Sequence, residues 1–124
     1  MPRAGAAEIP PPLELECLKV LWDLGEGTVR DVRQRLAPAR PLAYTTVMTV
    51  LERLVRRGAA LRRKAGRSFV YTPQVGRDWL RRRALRQLID SLFNGSEADL
   101  RACLESLAPG DNGPPAPALD TALL

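Results

Sequence analysis

The chain has 124 residues, a net charge of +5, and 45% hydrophobic but only 5% aromatic residues; one modest core is the ceiling at that length, and no ring-lined ligand pocket is advertised. No apolar run approaches the roughly 18 to 20 residues of a bilayer span, and the opening MPRAGAAEIPPP lacks the apolar stretch of a secretory signal, so a cytoplasmic location is expected. Histidine is absent, which removes the commonest general base and the commonest metal ligand together. No Gly-rich phosphate loop, nucleophile elbow or paired-thiol motif takes its place. Glu14 and Glu16 flank Cys17, but carboxylates at i and i+2 point in different directions on a helix and form no dyad. The expectation is a protein that is not an enzyme and uses neither cofactor nor metal.

The first apolar-periodic stretch, Leu13, Leu15, Leu18, Val20, Leu21, Trp22 and Leu24, has helical spacing after Pro10 to Pro12 and stops at Gly25 and Gly27. Thr28 opens a short second helix with Asp31 three positions on, the arrangement of a capping box. Val29, Val32 and Leu36 form its stripe, and Pro38 ends it. Pro41 then forces extended backbone. A third helix is expected to start near Ala43 to Thr45 and run to Arg57, where Gly58 can take the left-handed cap. Its apolar face holds Val47, Val50, Leu51 and Leu54, with Thr45, Thr49, Glu52 and Arg56 opposite. Threonine is a mediocre helix former, so three threonines in the first two turns are not explained by propensity.

Two strands follow, Leu61 to Lys64 and Ser68 to Thr72, with Gly66 in the turn and Pro73 as the stop. Phe69 and Tyr71 alternate with Ser68, Val70 and Thr72 and are read as the core side of this hairpin. From Val75 the pattern is helical again, with Trp79, Leu80, Ala84, Leu85, Leu88, Ile89, Leu92 and Phe93 spread over about five turns. Ser96 caps a last helix expected over 97–107, with Leu100, Cys103, Leu104 and Leu107 as its stripe. Cys17 and Cys103 both fall on apolar faces and are expected to be buried, reduced thiols. The expected fold class is mainly α with a small β-hairpin: a winged helix-turn-helix domain over 12–74, then a helical region over 75–107. The apolar seam of that second region exceeds what so small a domain needs for its own core, which points to self-association. An N-terminal arm over 1–11 and a Pro/Gly-rich tail over 108–124 are expected to be disordered, apart from a turn at Ala118 to Leu124.

Twelve of the nineteen basic residues lie between Arg53 and Arg86, opposed only by Asp78. They are interleaved with Leu54, Val55, Leu61, Phe69, Val70, Leu80, Leu85 and Leu88, so the block must fold. Clustered arginine on a folded surface is an electrostatic footprint for a polyanion. A polar-fronted helix running into a basic hairpin is the order of elements in a winged-helix DNA reader, with the helix in the major groove and the hairpin along the phosphates.

Across Leu13 to Leu107 the motifs LELECLKVLW, TVRDVRQRL, AYTTVMTVLERLVRRG, GRSFVYTP and LIDSLFNGSEADL stand in an order and spacing that resembles the penicillinase-repressor family of bacterial winged-helix regulators. That family also includes repressors of methicillin-resistance and copper-homeostasis genes. The resemblance implies a homodimeric transcriptional repressor that reads a palindromic operator in double-stranded DNA and pairs through its C-terminal helices. Carried onto this sequence, it turns Tyr44, Thr45, Thr46 and Thr49 toward bases in the major groove. Arg53 and Arg56 would meet phosphate from the same helix, and Arg62, Arg63, Lys64 and Arg67 from the wing. The dimer seam would draw on Leu85, Leu88, Ile89, Leu92, Phe93, Leu100 and Leu104. Two recognition helices related by a two-fold axis would read half-sites roughly 34 to 36 Å apart, one helical turn, or a multiple of it.

The sequence also departs from the family. Many members continue into a further C-terminal amphipathic helix where this chain passes into APGDNGPPAPALD, which implies a weaker or differently closed dimer. Copper-responsive members carry paired cysteines near the C-terminus, and their absence here gives metal sensing no support. Members controlled by antibiotics are released when a membrane-bound sensor protease cuts the dimerisation region; the corresponding stretch is Leu100 to Glu105, with the bond near Cys103-Leu104. A second reading keeps the winged helix but docks an acidic protein partner on the third helix, and the charge favours DNA over it. RNA binding would need a stacking platform, and only Phe69 and Tyr71 lie near the basic stretch. No small-molecule ligand is evident.

Overall fold

The computed structural model describes residues 9–110; most of the expected N-terminal arm, the tail from 111 and the turn at Ala118 to Leu124 lie outside the described residues. In chain order the elements are α1 (Pro12–Leu24), α2 (Val29–Leu36), α3 (Tyr44–Arg56), β1 (Ala60–Ala65), β2 (Ser68–Pro73), α4 (Arg77–Leu92) and α5 (Glu97–Glu105). This is the mainly helical, one-hairpin class expected from the sequence. The chain divides into two compact units, one running to Gln87 and the other starting at Leu88, inside α4. This division falls later in the chain than the boundary after residue 74 expected from the sequence.

In the first unit the periodic stripes meet in one core. Cys17, Leu18, Val20 and Leu21 of α1, Val29, Val32 and Leu36 of α2, and Val47, Val50, Leu51 and Leu54 of α3 are all buried, with Ala59, Ala60, Tyr71 and Leu80 joining them. Local signals fix the helix ends. The Thr28 hydroxyl accepts from the Asp31 N–H at 3.1 Å and the Asp31 carboxylate accepts from the Thr28 N–H at 3.0 Å, so aspartate completes the capping box in place of the usual Glu or Gln. Gly58, at φ 83°, ends α3. Its N–H donates to the Val55 carbonyl at 3.0 Å and the Ala59 N–H to the Leu54 carbonyl at 2.9 Å, a Schellman pair that turns the chain straight into β1.

β1 and β2 pair antiparallel, with Arg62 opposite Tyr71 and Lys64 opposite Phe69, so these four share one face while Arg63 and Val70 share the other. Gly66, at φ 64°, occupies the first position of the two-residue Gly66-Arg67 turn, as a type II′ hairpin requires. Gly27 and Tyr71 exchange backbone hydrogen bonds at 3.0 and 2.8 Å, tying the α1–α2 connection to β2. Further along, the Trp22 indole N–H donates to the Val75 carbonyl at 2.9 Å. Glu14, 5% exposed, accepts from Arg57 Nε at 2.8 Å, whereas Glu16 pairs with Arg40 at 3.0 Å. The two carboxylates serve separate ties, as their i, i+2 spacing predicts.

Two expectations need correction. Phe69 is not core: it stays 39% exposed, because the hairpin projects past the core and only Ala60 and Tyr71 near its base are enclosed. Cys17 is buried, but Cys103 is exposed, because α5 buries none of its residues.

In the second unit α4 closes at Leu92, Asn94 (φ 51°) and Gly95 (φ 82°) reverse the chain, and the Ser96 hydroxyl caps α5 by accepting from the Asp99 N–H at 3.1 Å. α5 ends at Glu105, short of the expected Leu107. Ile89 is buried. No helix among the described residues is long and apolar enough to cross a membrane.

Candidate nucleic-acid interface

The repeat that buries four aliphatic side chains of α3 leaves the opposite side of the helix to solvent. Tyr44, Thr45, Thr46 and Thr49 are exposed, as are Arg53 and Arg56. The threonines have no capping duty, since the N-cap is Ala43 and no side chain bonds the first-turn N–H groups. An uncapped first turn with exposed hydroxyls carries unspent donors and acceptors, the chemistry needed to read a base edge or hold a phosphate.

A cleft of about 810 Å³ lies between the start of α2, the outer face of α3 and the hairpin. Tyr44, Thr49 and Arg56 line it from α3, Arg67, Ser68 and Phe69 from the hairpin, and Arg30 and Arg33 from α2. The hairpin therefore flanks the same surface as the threonine face. Sequence reading missed the two α2 arginines; their position beside the Val29, Val32, Leu36 stripe was the available signal. Arg33 is already engaged, donating from Nε to the Leu42 carbonyl at 2.8 Å.

The wing cations differ in their ties. Arg62 Nη1 donates to both carboxylate oxygens of Glu52 at 2.7 Å and stacks 4.4 Å above the Phe69 ring. The Tyr71 hydroxyl donates to the same carboxylate at 2.5 Å. Arg63, on the other face of the hairpin, donates to Glu26 at 2.8 Å. Among the described residues, Arg53, Arg56, Lys64 and Arg67 form no ion pair. Partial burial works to raise the Glu52 pKa, but the hydrogen bonds from Tyr71 and Arg62 prevail and hold it below the ordinary carboxylate value. Burial, then the Glu52 bond, pushes the Tyr71 phenol up to about 12. Both shifts favour one state, an ionised carboxylate held by a neutral phenol and a charged guanidinium.

The residues expected in a dimer seam are mixed. Leu85 is exposed in the first unit. In the second, Leu88, Leu92 and Leu104 are exposed, Phe93 and Leu100 are half-buried, and Ile89 is buried. Cys103 and Leu104 are both exposed within α5. Among the described residues no three potential metal ligands gather.

The family model described as Penicillinase repressor matches residues 11–107. The transcriptional regulator BlaI of Mycobacterium tuberculosis is 38% identical over 90 residues, covering 72% of this chain and 63% of that protein. The penicillinase repressor of Bacillus licheniformis is 37% identical over 62 residues, covering 50% of this chain and 48% of that protein. The chain thus spans less than two thirds of the length of either relative. A solution structure of the DNA binding domain of the repressor BlaI superimposes with a TM-score of 0.53 at 32% identity, covering 62% of this chain and 90% of that one. The monomeric form of Bacillus licheniformis BlaI in complex with the blaP half-operator gives a TM-score of 0.50 at 31% identity, covering 63% and 92%. With the match running from before α1 to beyond α5, the chain belongs to the penicillinase repressor family.

Proposed function

We propose that the protein is a transcriptional repressor, not an enzyme, that binds operator DNA as a homodimer through α3 and the hairpin. The observation that carries this reading is the meeting of Tyr44, Thr49, Arg56 and Arg67 around one cleft, with Thr45 and Thr46 exposed beside them on the first turn of α3 and the hairpin flanking the same helix. Tyr44, Thr45, Thr46 and Thr49 read base edges, because hydroxyls donate and accept there and the threonine methyl suits thymine. Arg53, Arg56, Lys64 and Arg67 meet phosphate, which gives affinity without sequence choice. Arg30 adds a contact from α2, the helix that crosses the backbone in such motifs. The family relative solved with a half-operator supports the same reading.

Residues 12–74 form the DNA-reading part and 75–107 the pairing part, with Leu88, Leu92 and Leu104 as apolar surface for a second copy. Release by a membrane-bound sensor protease cutting within Leu100 to Glu105, near Cys103-Leu104, is the matching mode of induction. An intact chain by mass spectrometry while the target gene is expressed would reject it.

Selection from a random-sequence duplex pool tests the function. The expected result is a two-fold symmetric motif, with log K falling against log salt by about 0.9 for each phosphate neutralised. An unenriched pool, or binding indifferent to salt, would refute the reading and favour an acidic protein partner on α3.

A further inference from the structure

We propose that Glu52 is a positioning residue: with Arg62 and Tyr71 it clasps the hairpin to α3, and so sets where the free wing cations fall relative to the base-facing threonines. The inference rests on the DNA-binding reading above.

An isolated two-stranded hairpin is marginal in water, so something must hold its angle. The apolar core reaches only its base. β1 is exposed at every residue after Ala60, and β2 is fully enclosed at Tyr71 alone. What joins its body to α3 is polar. The Glu52 carboxylate, on the third turn of α3, takes a bifurcated bond from Arg62 Nη1 on β1 and the Tyr71 hydroxyl bond from β2, one acceptor spanning both strands. Arg62 is braced in turn by the Phe69 ring beneath it. Two further ties, the Gly27 and Tyr71 backbone pair and the more exposed Arg63 to Glu26 pair on the opposite face, reach the α1–α2 connection rather than α3.

A carboxylate on a surface that faces phosphates repels them unless its charge is matched. Here Arg62 matches it, so the two together add no net charge to the interface. Donors from two strands converging on one carboxylate fix direction as well as distance. Arg62 thus works through geometry, whereas Arg67, two residues past the end of β1 and without an ion pair, meets the backbone itself.

Titration of the full-length chain on its selected duplex and a scrambled one, across salt, tests this with Glu52→Gln, Arg62→Ala, Tyr71→Phe and Arg67→Ala. Arg67→Ala should lower the salt slope by about 0.9, while Arg62→Ala weakens operator binding with the wild-type slope kept. Glu52→Gln should cost about tenfold on the operator, and Arg67→Ala should then cost at least about threefold less than it does in the wild type, a coupling that lost stability alone does not produce. Tyr71→Phe keeps the buried ring, and so the fold, and should shift affinity in the same direction by less. Tighter binding of both duplexes by Glu52→Gln, additive losses with Arg67→Ala, or an Arg62→Ala slope that drops like that of Arg67→Ala would each overturn the clasp. A wild-type chain with no preference for the selected duplex would instead sink the DNA-binding reading.

Discussion

α3 and α5 are both short helices with apolar residues at helical spacing, yet they end in opposite situations. On α3 the stripe Val47, Val50, Leu51 and Leu54 is enclosed by α1, α2 and the hairpin base. On α5 the residues Leu100, Cys103 and Leu104 lead nowhere enclosed, and no residue of the helix is buried. Periodicity thus tells which side of a helix is apolar, and not what will cover it. In α3 the covering elements come from the same chain within a few tens of residues. For α5 a second copy of the chain is the cover we propose.

The contrast can be broken by truncating each stripe. Leu51→Ala should destabilise the chain by about 3 kcal/mol in denaturant unfolding, the cost of lost transfer energy plus a cavity. Leu104→Ala should cost under about 0.5 kcal/mol at concentrations where the chain is monomeric, while raising the concentration at which sedimentation shows dimers. Equal losses for the two would mean that α5 is packed as tightly as α3.

The Glu14 to Arg57 tie sharpens the same contrast, because it holds the end of α3 to α1 from a side chain that is only 6% exposed. Glu14→Ala leaves Arg57 without this carboxylate and should cost about 2 to 3 kcal/mol. A loss under about 0.5 kcal/mol would show that water replaces the bond freely.

A smaller effect should appear in alkali. Burial, then the neighbouring Glu16 and Glu14 carboxylates, raise the Cys17 thiol from 9.0 to about 12, and Tyr71 is raised from 10.0 to about 12. In both cases the unfolded chain loses its proton first. The stability these groups contribute is complete below about pH 9 and is lost as the pH climbs toward 12. Melting temperature should therefore fall through that window, and Cys17→Ala should start lower but fall less steeply. An identical slope in the variant would remove Cys17 from the account.

Much of the first unit was legible because its signals are local. A 3.6-residue period, Thr28 with Asp31, and Gly58 after Arg57 are read within one or two turns, and each marks a feature the fold contains. Ties between distant residues were not legible. Arg57 finds Glu14 across 43 positions, and Tyr71 finds Glu52 across 19; no periodicity links such pairs. Phe69 shows the same limit in a strand, where alternation gives the face but not how far the core extends along it. Cys103 shows it in a helix. Of the candidate interface, the exposed threonines and arginines of α3 could be read from the sequence, while the bonds that Glu52 accepts from Arg62 and Tyr71 needed the hairpin register.

The central claim, that the outer face of α3 reads sequence while the wing supplies affinity, is tested most directly by titrating Thr46→Ala, Thr49→Ala and Arg67→Ala against the selected duplex and its scrambled counterpart. The threonine variants should lose affinity mainly for the selected duplex, narrowing the ratio between the two, and Arg67→Ala should weaken both by the same factor. Equal losses on both duplexes for the threonine variants would contradict it.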